Sequence, residues 1–143
     1  KAFMKILIIG SMSFLRDMLK IKKELDKLGH QASIPYGTEP HFKDKTFVNN
    51  LEKNFQFCIK NNVMKRNFDL VVENDAVLVL NHKKNGVDGY IGVSALMEMA
   101  IAHHFNKKIF IFNKIPHFNQ VRWAHEVAIM QPVIIDGDFD KIK

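Results

Sequence analysis

The sequence predicts an α/β domain: a three-layer, doubly wound, five-stranded parallel sheet in the order 2-1-3-4-5. Two observations carry this. Apolar runs ending in Gly or Asn recur as "MKILIIG", "DAVLVLN" and "KKIFIFN", as strands buried on both faces do. Between them lie segments whose apolar residues repeat at helical spacing. Strands alternating with helices require right-handed crossovers, and those build a parallel sheet.

"MKILIIG" is the first strand and ends in Gly10. "FLRDMLKIKKELDKLGH" follows, with Leu15, Met18, Leu19, Leu25 and Leu28 in helical register and Gly29 at a helix C-cap position. "QASIP" is a short second strand. The next piece, "YGTEPHFKDKT", is polar and broken by Gly37 and Pro40, so it reads as irregular. "TFVNNLEKNFQFCIKNN" and "VMKRNFDLVVEN" read as two helices or one bent helix. "DAVLVLN" is the third strand, followed by the glycine-rich loop "HKKNGVDGYIG". "SALMEMAIAHHFN" is a helix that Ser94 is placed to cap. "KKIFIFN" is the fourth strand. "NQVRWAHEVAIM" is a helix with Val121, Ala124, Val127 and Ala128 on one face; its Trp123 either forms a contact surface or packs on the sheet. "PVIID" is the fifth strand, and "GDFDKIK" closes a single domain.

At 143 residues and 47% hydrophobic content the chain is long enough to bury one core. No apolar run approaches the ~20 residues that span a bilayer, so no membrane partner is expected. The opening "KAFMKILIIGSMSFLRDM" is broken by Gly10, Ser11, Arg16 and Asp17 and reads as a strand rather than a secretion signal. Met4 reads as a native start, with Lys1 to Phe3 an added or shifted leader. The one cysteine, Cys58, has no internal disulfide partner; it reads as a buried helix residue in a cytoplasmic protein. The net charge of +6 is spread over short clusters, including Lys83-Lys84, too short for a nucleic-acid stripe. It serves either a solvated surface or the gathering of a phosphorylated small molecule.

In an open parallel sheet of this order, ligands bind beyond the strand carboxyl ends, between the first and third strands. Strand one ends there in "IIGSMS", where Gly10 permits close backbone approach and Ser11 and the following amides suit an anion. The spacing is neither a P-loop nor GxGxxG, and the acidic cluster of receiver domains is missing. Strand three leads into the glycine loop and then the helix "VSALMEMAIA", where Glu98 is the one residue that is neither small nor apolar. An acid near a helix start satisfies the macrodipole; alternatively the crevice needs a carboxylate. His103 and His104 are adjacent and point to different faces of a helix, and "HEVA" lacks a second histidine, so no metal site is expected.

Taken together, "GSM", "FDLVVENDAVLVLN" and "GYIGVSALMEMAIAHHFNKKIFIFN" resemble the nucleoside 2-deoxyribosyltransferase superfamily, including its deoxynucleoside 5′-monophosphate N-glycosidase branch. The resemblance covers strand one and most of residues 66 to 113. It implies a flavodoxin-like sheet and cleavage of the N-glycosidic bond of a nucleoside or nucleotide, with the sugar passed to water or to another base and no cofactor. By position it implies Glu98 as nucleophile, Asp69 as the acid that orients the sugar or handles the base's proton, and Gly10, Ser11 and Met12 as a phosphate loop. Asp75 reads as opening its strand. Homodimers are common in the family. The chain departs from the pattern in lacking the strand-one tyrosine, in Ser13 where the branch has arginine, and in Gly92 where relatives carry a polar residue. Ser94, Tyr90 and Asn81 are the residues expected to substitute at the substrate wall. These departures keep a second reading open, a non-catalytic nucleotide-binding or sensing domain.

Overall fold

The computed structural model describes residues 3–143; Lys1 and Ala2, part of the segment expected to be a leader, lie outside the described residues. Five strands form one parallel sheet in the order 2-1-3-4-5: β1 (Lys5–Gly10), β2 (Gln31–Ser33), β3 (Ala76–Leu80), β4 (Lys108–Ile111) and β5 (Val133–Ile134). This is the flavodoxin-like order expected from the apolar runs. Among the described residues six α-helices join the strands: α1 (Leu15–Lys27), α2 (Glu39–Lys43), α3 (Leu51–Asn61), α4 (Val63–Glu73), α5 (Val93–His104) and α6 (Trp123–Ile129).

Ile6, Leu7, Ile8 and Ile9 of β1 are fully buried because both faces of the sheet are covered. Each such side chain contributes about 1.5–3 kcal/mol by leaving water. Ile6, Ile8, Leu78 and Leu80 face a core closed by Leu15, Met18, Ile21 and Leu25 of α1 and by Ile135 and Ile142. Leu7, Ile9, Val77 and Val79 face the opposite core, closed by Val71 of α4, Ala95, Met99 and Ala102 of α5, and Val127 of α6. β1 and β3 pair from Ile6–Ala76 to Gly10–Leu80, so their carboxyl ends finish level. That shared edge is the floor of the expected crevice.

Asp75 opens β3 as expected: its carboxylate accepts from the Lys5 amide at 2.8 Å, and its own amide donates to the Lys5 carbonyl. Three details differ from the sequence reading, and one open alternative is settled. The irregular segment after β2 contains α2 and a 3-10 turn, Phe47–Asn49. The α3/α4 ambiguity resolves as two helices, broken where Asn62 turns left-handed at φ 52°. Ser94 does not cap α5; Gly92 occupies the N-cap and leaves Ser94 inside the first turn. The last helix begins at Trp123 rather than Asn119, because His117 holds a turn by accepting from the Asn119 amide at its ring and from the Gln120 amide at its carbonyl. Trp123 packs half-buried on the sheet with Val127. No helix among the described residues is long and apolar enough to cross a membrane.

Candidate functional site

A cleft of about 320 Å³ opens at the level edge of β1 and β3, within the size range of small-ligand pockets. Its floor is Gly10, Ser11 and Met12; one wall is the start of α5, from Gly92 through Ala95 to Glu98. The opposite wall comes from Tyr36, Gly37 and His41, and from Leu51, Asn54 and Cys58 on α3. Seven of the nine residues singled out in the sequence meet here: Glu98, Gly10, Ser11, Met12, Tyr90, Gly92 and Ser94.

Glu98 lies on the buried stripe Ala95, Glu98, Met99, Ala102 of α5. Its side chain reaches the cleft while the residue is only 8% exposed. Burial pushes its pKa from 4.5 up to about 7, and no hydrogen bond or charge offsets that. Among the described residues, the compensating donor that an ionised nucleophile calls for is therefore missing. The carboxylate is also the one acid among the described residues lining the cleft. The amino end of α5 lines the same cleft: no side chain caps it and no acid sits in its first turn, so its opening amides have no side-chain partner.

Asp69 does not reach this site. It sits on the exposed face of α4, where Lys65 pairs with it at 3.1 Å one turn away. The inward residues of α4 are Asn67 and Val71. Asn67 lines the cleft and clamps Tyr36, accepting from its amide at 2.7 Å and donating to its carbonyl at 3.2 Å. Two positions further along a helix is about 200° around it, so Asp69 faces away from what Asn67 faces.

Asn81 is likewise removed from the substrate wall. It is fully buried, and its amide group is spent on Asn113: Nδ2 donates to the Asn113 carbonyl at 2.9 Å and Oδ1 accepts from the Asn113 amide at 2.7 Å. Asn81 ties the end of β3 to the end of β4. The next residue, His82, continues the tie, with its ring edge-on to Phe14 and Phe112 and its Nε2 3.4 Å from Asp17.

The loop after β3 brings in a residue that charge clustering alone did not mark. Lys84 and Val87 exchange both backbone hydrogen bonds across Asn85-Gly86. Asn85 at φ 52° and Gly86 at φ 75° form the tight left-handed turn that Asn-Gly favours. This hairpin aims Lys84 back over the crevice: its ammonium donates to Ser11 Oγ at 2.8 Å and lies 5.6 Å from the ring centre of Tyr90. The dipeptide "NG" was the signal for it.

Cys58 is half-buried in the cleft wall rather than in the core, with Sγ 3.2 Å from Asn54 Oδ1, and burial pushes its thiol up. Burial lowers the pKa of the His41 imidazole, which favours its neutral form. Among the described residues no three His, Cys, Asp or Glu side chains converge as a metal site would require. No family model matches the chain, and no curated protein matches it.

Proposed function

We propose that the protein cleaves the N-glycosidic bond of a nucleoside or nucleotide through Glu98, as a nucleoside 2-deoxyribosyltransferase-like hydrolase or transferase. The observation that carries this reading is the buried, unpaired carboxylate on the wall of a ligand-sized cleft at the topological switch point. Ionised Glu98 attacks the anomeric carbon. The C1′–N bond breaks, its electron pair leaves with the base, and the base takes a proton from water. An ester between the sugar and Glu98 results. Water or a second base then attacks C1′, and the ester bond breaks to return the carboxylate. Positive charge on the ring in the transition state is stabilised by the same carboxylate. Binding a substrate that becomes cationic gives Glu98 the counter-charge it lacks in the free protein.

The test is a chromatographic screen for free base across deoxy- and ribonucleosides and their 5′-monophosphates, with and without an acceptor base. Release of base from at least one of them is expected; no release from any overturns the reading. One observation favours a second reading, a nucleotide-binding or sensing domain: with Asp69 outside the cleft, no second carboxylate assists the leaving base. That domain shows ligand-dependent thermal stabilisation without base release.

The proposal includes a homodimer in the cytoplasm. Leu51, Phe55 and Ile59 form an exposed i, i+4, i+8 stripe on α3, a helix with no buried residue, and Leu51 also lines the cleft. Sedimentation equilibrium at micromolar chain distinguishes dimer from monomer. The single free cysteine suits a reducing compartment.

A further inference from the structure

We propose that His41 is a further catalytic residue: its imidazole N–H hydrogen-bonds the departing base and stabilises the charge that base gains as the C1′–N bond breaks. This rests on the glycosidase reading above, and it gives the leaving base a partner that Asp69, outside the cleft, does not provide. Direction selects the residues that meet the base. Glu98 approaches the anomeric carbon from the α5 wall, and displacement at carbon expels the leaving group on the side opposite the nucleophile. The base therefore departs toward the wall that holds Tyr36, His41, Asn54 and Cys58.

The neighbours of His41 on that wall are partly committed. Arg66 covers the Tyr36 ring at 4.3 Å, and Asn67 is spent on the Tyr36 backbone. Asn54 Oδ1 takes the Cys58 thiol at 3.2 Å. His41 differs: it is half-buried on α2, and among the described residues no hydrogen bond or ion pair claims either ring nitrogen. By contrast the His82 ring is held by Asn113 and Asp17, the His117 ring by the Asn119 amide, and the His125 ring by Glu126. The His41 ring is nevertheless fixed. It stands edge-on to Phe47 at 4.9 Å, and Phe47 stands edge-on to Phe57 at 5.9 Å. Its backbone amide is tied to the carbonyl of buried Thr38 at 3.0 Å. A donor already held in place costs no reorganisation when charge appears on the base. Burial lowers the His41 pKa and raises that of Glu98 to about 7, so the imidazole is neutral where the carboxylate is ionised. A neutral imidazole keeps one N–H donor and puts no positive charge beside a sugar that is itself becoming cationic. In the step, the C1′–N electron pair goes to the base. His41 N–H bonds to an electron-rich nitrogen or oxygen of that base and keeps its proton, and water then protonates the base as above.

The test measures kcat/KM for base release by the wild type, His41→Phe and His41→Gln on two substrates. One is an ordinary nucleoside that the wild type cleaves. The other is its 7-methylpurine or 5-nitropyrimidine analogue, whose base leaves without help. His41→Phe keeps a ring against Phe47 and removes the donor, whereas His41→Gln keeps a donor. In His41→Phe the ordinary substrate is expected to lose roughly 10- to 100-fold, chiefly in kcat, and the activated analogue about threefold or less. His41→Gln recovers most of the loss. Equal losses on the two substrates mean a structural role and overturn the proposal, as does an unchanged kcat/KM in His41→Phe. His41→Ala, which only deletes atoms, carries the same comparison should His41→Phe fail to fold. A wild type that releases no base overturns the glycosidase reading and this assignment together; base release with equal losses overturns this assignment alone.

Discussion

Glu98→Gln abolishes base release, lowering kcat/KM by roughly 10³-fold or more on any substrate the wild type cleaves, while the fold survives. Glutamine keeps the size and shape of the side chain but neither attacks the anomeric carbon nor carries the charge that stabilises it. The same substitution has a signature in stability. The folded pKa of Glu98, about 7, lies above the 4.5 of the free group. The folded chain therefore binds more protons than the unfolded chain between about pH 4.5 and 7. Stability falls as pH rises through that window and is lower by about 3 kcal/mol above it. Glu98→Gln escapes this loss. It melts higher than the wild type at pH 8, and the gap closes near pH 4.5. Activity runs the other way, since only the ionised form attacks: wild-type kcat/KM rises with pH and levels off above about 7. Wild-type rates in Glu98→Gln contradict the nucleophile assignment, and a melting difference independent of pH contradicts the burial argument.

Gly10→Ala destabilises the fold by about 3 kcal/mol and lowers Tm by roughly 10 °C. Gly10 holds φ +154°, and a methyl group there lies 2.7 Å from the Leu80 carbonyl oxygen and 3.2 Å from the Met18 side chain. The methionine end can yield, but the Leu80 oxygen belongs to the paired strand and cannot move without parting β1 from β3. The same displacement widens the cleft floor, so activity falls with stability. Gly86→Ala is the contrast. At φ +75° with open space around it, it meets only the backbone preference and costs about 1 kcal/mol. Equal melting losses in the two variants contradict the close-approach argument at Gly10.

The central strands were legible because burial on both faces forces continuous apolar runs, and β1, β3 and β4 lie where "KILIIG", "AVLVL" and "KIFI" stand. Glu98 was legible for the complementary reason, as one acid in an otherwise apolar helix placed by topology at the switch point. The misplaced residues depended on angle and distance. Asp69 fails by helical phase: "FDLVV" offers apolar residues in several directions, and only packing selects Asn67 and Val71 as the inward pair. Asn81 fails by range, since its amide is claimed by a backbone 32 residues away. Ser94 is a capping residue type, yet Gly92 reaches the N-cap first, which leaves the α5 amides uncapped at the cleft. Lys84 stood in plain view beside "NG", a turn dipeptide whose geometry turns a short basic cluster into one aimed side chain.

The anomeric configuration of the product tests the Glu98 nucleophile most directly. With methanol as acceptor, a β-configured substrate attacked first by Glu98 and then by methanol undergoes two inversions, and nuclear magnetic resonance shows the β-methyl glycoside. An α-methyl glycoside means a single displacement by solvent, and contradicts a covalent intermediate on Glu98.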